Sequence, residues 1–192
     1  NRGGMLFFIH HLGGALAAPP RPAEAPPAPS AERAPTRVLD DAHRALLAAL
    51  TLDACDRDAL RARGLDAATI AAAGYRTLRV EGRAALARAV LDDVGATYIA
   101  AIPGIVRRTE GERSWWSLSG AAGLLVPVRD PEGYVVALKV RRRDPDDGAR
   151  YLFLSSHRHG GLRAAFSLHV PVAARALWEQ GTRELVITEG EL

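Results

Sequence analysis

One cysteine and one lysine stand in a chain of 192 residues. A lone thiol, Cys55, cannot close an internal disulfide, and no zinc site built from several cysteines fits within the chain. It agrees with a reducing compartment, so a cytoplasmic protein is expected. Cys55 falls in a helical pattern and reads as a small packed residue. No apolar run approaches the roughly 18–20 residues that cross a bilayer, so no membrane partner is expected. The short apolar piece at residues 5–9 is cut by His10 and His11 and has no basic cluster ahead of it, which argues against a signal peptide. There is no Walker A loop, no Gly-x-Ser-x-Gly elbow around Ser155, Ser156 and His157, and no internal repeat. Hydrophobic residues at 48% and charged residues at 24% exclude a wholly disordered, collagen-like or disulfide-dense chain.

The basic residues are almost all arginine: 24 of 25, with Lys139 the exception. Net charge is only +3, although the pI is about 9.5. Arginine keeps its proton and can grip a phosphate with two donors. GC-rich coding raises Arg and Ala together, so the local placement of arginine carries the information and the average does not.

Residues 18–35 hold seven of the 12 prolines and almost no large apolar side chain. Such a stretch buries too little surface to fold and is expected to be an extended linker. From Val38 onward Leu39, Ala42, Leu46, Leu47 and Leu50 recur at helical spacing. A second helix is expected over residues 57–63 with Gly64 at its end. A third covers residues 67–73, capped by Asp66 and closed by Gly74, and a fourth covers residues 83–93 up to Gly95. Residues 124–128 and 134–140 are compact apolar runs around Arg129-Asp130-Pro131-Glu132-Gly133, which reads as a β-hairpin with a tight turn. Residues 151–154 form a further strand candidate. Pro171 opens a helix over residues 172–179, and residues 184–188 read as a buried strand running into Glu189-Gly190-Glu191.

Two features carry chemistry. A strand that ends in a carboxylate and a glycine puts Glu189 at a sheet edge where α/β folds build sites. One carboxylate holds Mg²⁺ poorly, since the ion wants about six oxygens; the alternative is a plain surface turn. The second feature is the basic hairpin. Residues 139–163 contain seven basic and three acidic side chains. Alternation along a strand puts Lys139, Arg141 and Arg143 on one face, which suits a phosphate backbone; a charge-protected edge strand is the competing reading. Trp115, Trp116 and Tyr151 are candidate stacking platforms, with Trp116 the better core residue because strand neighbours point opposite ways. His43, His157 and His159 read as structural or loop residues.

The order of these motifs resembles the catalytic core of bacterial-type DNA primases, in particular divergent primase-like proteins of phages, plasmids and integrative elements. The resemblance runs over roughly residues 56–192. It rests on Gly64-Leu65, Gly74-Tyr75-Arg76, residues 123–130, Gly133, Arg150-Tyr151-Leu152, Ser155-Ser156, His169-Val170-Pro171 and Thr188-Glu189-Gly190. It implies an α+β fold: a helical region, then an antiparallel, hairpin-rich template-binding subdomain over residues 37–182. Residues 183–192 then start an α/β toprim subdomain. Residues 1–17 resemble the end of a primase zinc-binding domain, so Zn²⁺ belongs only to sequence upstream, and residues 18–36 are the linker. The chain thus reads as a fragment.

The resemblance further implies nucleotidyl transfer on a single-stranded DNA template with nucleoside triphosphates, in a protein that can work beside a replicative helicase. Glu189 matches the toprim glutamate and is the expected catalytic and metal-binding residue, holding Mg²⁺ or Mn²⁺ with an acidic pair from beyond Leu192. Arg150 and Tyr151 match a basic-Tyr-Leu motif near template and nucleotide, and Arg129 falls in the Pro-x-Arg-Asp turn. With Lys139, Arg141 and Arg143 they make the expected binding set. The alternative is a non-catalytic single-stranded-DNA-binding module of a replication protein. A toprim nuclease or topoisomerase leaves the upstream region unexplained, and a helix-turn-helix regulator leaves the hairpin and the final strand unexplained.

Overall fold

A computed structural model of the chain describes residues 32–143, 148–165 and 167–181. The expected zinc-domain tail, most of the linker, the final strand and Glu189 lie outside the described residues. The packed chain begins earlier than residue 37: Ala34 is buried and its N–H donates to the Ala101 carbonyl at 3.1 Å.

The helices α1 (Thr36–Ala48), α2 (Ala54–Arg61), α3 (Ala67–Ala73) and α4 (Arg83–Tyr98) come early, and α5 (Val172–Glu179) comes late. Asp66 caps α3, accepting from the Thr69 N–H at 2.7 Å, and Gly74 ends it in the left-handed region at φ +75°. Only glycine adopts that conformation without strain. Gly95 breaks α4 at φ 76° and ψ 170°, where the glycine predicts a stop, but the chain resumes helical geometry to Tyr98. Cys55 is exposed in the first turn of α2, not packed, because the buried side of that helix belongs to Asp56 and Leu60.

Four antiparallel strands form the main sheet in the order β1-β4-β5-β6, with β1 Arg76–Leu78, β4 Gly123–Arg129, β5 Val135–Arg141 and β6 Tyr151–Phe153. A separate two-stranded sheet pairs β2 (Ile105–Glu110) with β3 (Arg113–Leu118). The β4–β5 hairpin forms where its turn chemistry predicts. The Gly133 N–H bonds the Asp130 carbonyl at 3.0 Å, and the Asp130 side chain accepts from the Tyr134 N–H at 2.8 Å. Expectation missed β1, which is too short to show a period, and the β2–β3 hairpin.

One face of the main sheet buries Leu125, Leu138 and Val140 against Leu39, Ala42 and Leu46 of α1 and Leu86, Ala87 and Val90 of α4. The opposite face buries Leu124 and Val126 against Leu60, Ile70 and Tyr75. Helix α1 also carries two buried polar groups, Asp40 and His43, on adjacent turns. Asp40 Oδ1 accepts from the Val135 N–H at 2.7 Å, and His43 Nδ1 bonds the Val135 carbonyl at 2.7 Å. A carbonyl can only accept, so His43 holds its proton on Nδ1. Moving from Val128 to Arg129 on β4 shifts the partner from Ala137 to Val135, so Val136 is the extra residue of a β-bulge beside this clamp. Arg83 at the start of α4 donates to the carbonyls of Ser119, Gly120 and Ala121 and holds the loop that leads into β4.

Gly123 opens β4 at φ +148°, and a Cβ there would run into the Arg141 carbonyl oxygen across the sheet. Gly64, at φ +88°, faces open space. Gly64→Ala therefore carries only the left-handed backbone cost, about 1–2 kcal/mol. Gly123→Ala must also separate two paired strands. Urea melts should rank Gly123→Ala well below Gly64→Ala in stability; equal losses would show that β4 and β5 are not this closely paired.

Candidate nucleic-acid interface

Register across the sheet builds the site. Thr77, Leu124, Arg141 and Tyr151 form one cross-strand row, and Val126, Lys139 and Phe153 form the next. Directly paired residues share a face. Leu124 and Val126 lie under α2 and α3, while Lys139, Arg141, Tyr151 and Phe153 continue that face across β5 and β6 and are half-buried. None of the residues in these two rows is acidic.

Lys139 sits with its Nζ 4.9 Å from the centre of the Phe153 ring, a cation–π distance. Partial burial lowers its pKa. The Arg141 Nε is buried and makes no hydrogen bond among the described residues. A buried, unpaired N–H is costly, and an acceptor brought by a ligand removes that cost.

Arg129 closes the site on the hairpin side. Its Nη1 donates to the Ala73 carbonyl at 2.9 Å, and its backbone N–H donates to His169 Nδ1 at 3.0 Å. His169 therefore carries its proton on Nε2 when neutral. Burial first, then the charges of Arg129 and Lys139, push the His169 pKa down to about 4. Tyr75 also belongs here: burial raises its pKa, Arg129 opposes that shift and Tyr151 adds to it. Arg129, Lys139, His169, Tyr75 and Tyr151 thus form one electrostatic cluster of cations, phenols and a neutral imidazole.

Arg143 departs from the expected row. Strand β5 ends at Arg141, and the Arg143 guanidinium swings to α2. It bonds the buried Asp56 carboxylate at 2.9 and 3.2 Å, and it lies 3.7 Å from Asp53. Asp56 also accepts from the Thr77 hydroxyl at 2.6 Å. Arg79 bonds Asp53 at 2.6 Å, and this partner, more than any other, holds the Asp53 carboxyl below the usual range. A cleft of about 530 Å³ opens beside this network, lined by Thr77, Arg79, Val80, Gly123, Arg142 and Arg143 among others. Arg150 is exposed just before β6, where its carbonyl accepts from the Arg142 N–H at 2.9 Å.

The structure therefore gathers Arg129, Lys139, Arg141 and Tyr151, leaves Arg150 at the rim and ties Arg143 to α2. Tyr75 and His169 join the cluster without having been singled out as site residues. Both lie in quoted motifs, yet the contacts that give them a role are long-range and leave no local spacing. Among the described residues no group of three or more His, Cys, Asp or Glu side chains could hold a metal ion. The described part thus does not supply the expected Mg²⁺ or Mn²⁺ site, and Glu189 lies outside it. His43 is structural, as expected. Ser155 Oγ lies 2.9 Å from an exposed His157 Nδ1 with no nucleophile elbow around it.

These features define an α+β domain with a cationic, aromatic sheet face. The chain is similar to two solved structures. One is the Aquifex aeolicus primase (zinc-binding and RNA polymerase domains), at 17% identity and a TM-score of 0.48, covering 67% of this chain and 30% of that one. The other is the RNA polymerase domain of Mycobacterium tuberculosis primase DnaG in complex with a double-stranded DNA oligomer with a 6-nucleotide overhang. It shares 24% identity at a TM-score of 0.49, over 64% of this chain and 39% of that one. This chain thus spans less than two fifths of either structure's length. No protein-family model matches the chain, and no curated protein matches it.

His169 and the fully buried His43 both have pKa values lowered from 6.5, chiefly by burial. In the unfolded chain each imidazole takes up a proton near its ordinary pKa of about 6.5, while the folded protein resists it. Acid therefore favours the unfolded state as the pH falls from about 6.5 towards 4. The Tm should drop through that window, and less steeply in His169→Gln and His43→Gln. Identical slopes in wild type and both variants would contradict the assigned burial.

Proposed function

We propose that this chain is the template-binding part of a primase-like protein that carries out DNA-templated nucleotidyl transfer for a phage, plasmid or integrative element. The observation that carries the reading is the face built by Lys139, Arg141, Tyr151 and Arg129. It combines cations that match phosphates with aromatic surface that matches bases, in the stretch where the sequence most resembles the primase core. Single-stranded DNA lies along this face, with its phosphates on Lys139 and Arg141. The open Arg141 Nε donor finds its acceptor there. His169, neutral around pH 7 with its proton on Nε2, adds an uncharged donor. Nucleoside triphosphates enter near Arg150 and Tyr151.

In this reading Glu189 is the catalytic carboxylate and a ligand of Mg²⁺ or Mn²⁺, completed by carboxylates from sequence that follows. The ion would supply charge stabilisation for the attacking oxygen and the leaving pyrophosphate. The replicative helicase remains the expected partner of the complete protein, and the cytoplasm its expected place. A second reading, a single-stranded-DNA-binding module without catalysis, uses the same face but not Glu189.

Binding of labelled oligothymidylate should weaken with salt. For single strands the log–log slope changes by about 0.7 per phosphate contact, so Lys139→Ala with Arg141→Ala should flatten it by about 1.4. An unchanged slope refutes the assigned face. In the parent protein that contains this chain, Glu189→Gln should abolish primer synthesis and spare DNA binding. Undiminished synthesis by that variant would falsify the catalytic reading and leave the binding module standing.

A further inference from the structure

The β2–β3 hairpin has two faces with different duties. Ile105, Trp116 and Leu118 point into the core shared with α4. The other face pairs the buried Val106 with Ser117 at its base, then Arg108 with Trp115 and Glu110 with Arg113 towards its tip. Trp115 is 39% exposed there. A hairpin alone is marginal in water, so the core face accounts for its stability. Nothing in that core requires an indole on the outward face.

Charge says what the face fits. Arg108 stands directly across from Trp115, and Arg113 lies two residues along the same strand on the same face. Neither guanidinium makes a hydrogen bond or ion pair among the described residues, although Glu110 pairs with Arg113 in register. A flat aromatic surface flanked by unpaired cations matches a nucleobase with its phosphates, since stacking and backbone attraction act together on single strands.

The hairpin is also joined to the sheet where the cationic face ends. Strand β6 runs into Leu154, whose side chain lies against Gly104 before β2 and Gly120 after β3. Ser119 Oγ donates to the Ser155 carbonyl at 2.8 Å. The base of the hairpin is thus fastened just past the Tyr151–Phe153 strand.

We infer that the outward face of the β2–β3 hairpin is a second contact for single-stranded nucleic acid. Trp115 stacks on a base, and Arg108 and Arg113 take the adjoining phosphates. This rests on the reading of the Lys139–Arg141 face as the primary nucleic-acid surface.

Titrations of labelled oligothymidylate with Trp115→Ala, Trp115→Leu and Trp115→Phe test the inference. Loss of the indole should weaken binding about five- to 150-fold, the equivalent of roughly 1–3 kcal/mol for a stacked base. Phe should retain most of the affinity and Leu little, because leucine keeps apolar area but has no π-face. Thermal melts should be close to wild type for all three. If these variants bind as wild type while Lys139→Ala and Arg141→Ala bind weakly, the hairpin inference falls and the primary face stands. If neither set changes binding, both fall. If Leu binds as well as Trp, or if Trp115→Ala instead changes self-association in sedimentation, the face serves an apolar protein contact and the inference is overturned.

Discussion

Val135 is held from both sides by one helix. Asp40 takes its N–H and His43 takes its carbonyl, each at 2.7 Å, from a position that water does not reach. A buried peptide group without partners costs free energy, and here the ladder with β4 is disturbed by the bulge at Val136. Side chains of α1 complete what the sheet leaves open. The same contact fixes α1 on the sheet and locks the start of β5, from which Lys139 and Arg141 are counted. It also fixes Arg129, which stands opposite Val135.

Electrostatics then sorts the arginines. Arg143 finds the buried Asp56, and Arg79 finds Asp53, so these two charges serve to tie α2 to the edge of the sheet. Lys139 and Arg141 meet no carboxylate in their own rows. Arg129 is intermediate: it spends its Nη1 on a backbone carbonyl, remains half-buried, and through its backbone N–H sets the tautomer of His169. Two chemically identical side chains thus differ in use because of where the acidic residues of α2 happen to lie.

What sequence could show was local. The α1 periodicity, the Asp66 and Gly74 caps and the Asp130–Gly133 turn each act within a few residues, and each appears where expected. The face shared by Lys139 and Arg141 follows from alternation alone. Arg143 does not, because its place is decided by Asp56, which is 87 residues away in the chain. His169 and Arg129 are 40 residues apart, and no pattern announces their bond. Strand β1 has only three residues and borrows its conformation from β4. The β2–β3 hairpin did leave a mark: Gly111-Glu112 forms a two-residue loop between β-favouring runs, with Gly111 at φ 59°. Cys55 lies in a helix as its pattern indicates but is exposed, because the buried side of α2 is set by Asp56 and Leu60, which meet residues distant in the chain.

The strand order carries a consequence for how the chain reaches this shape. Thr77 and Leu124 are neighbours in space but belong to strands separated in sequence by α4 and the whole β2–β3 hairpin. Closing so long a loop loses chain entropy before any contact repays it, whereas β4 and β5 meet across a short turn. Three residues of β1 have too few hydrogen bonds to offset that loss unless a partner strand is already in place. Loop-closure entropy thus favours the β4–β5 pairing over that of β1, and the pairing that costs more is the one that brings Thr77, with its bond to Asp56, to the wall of the cleft.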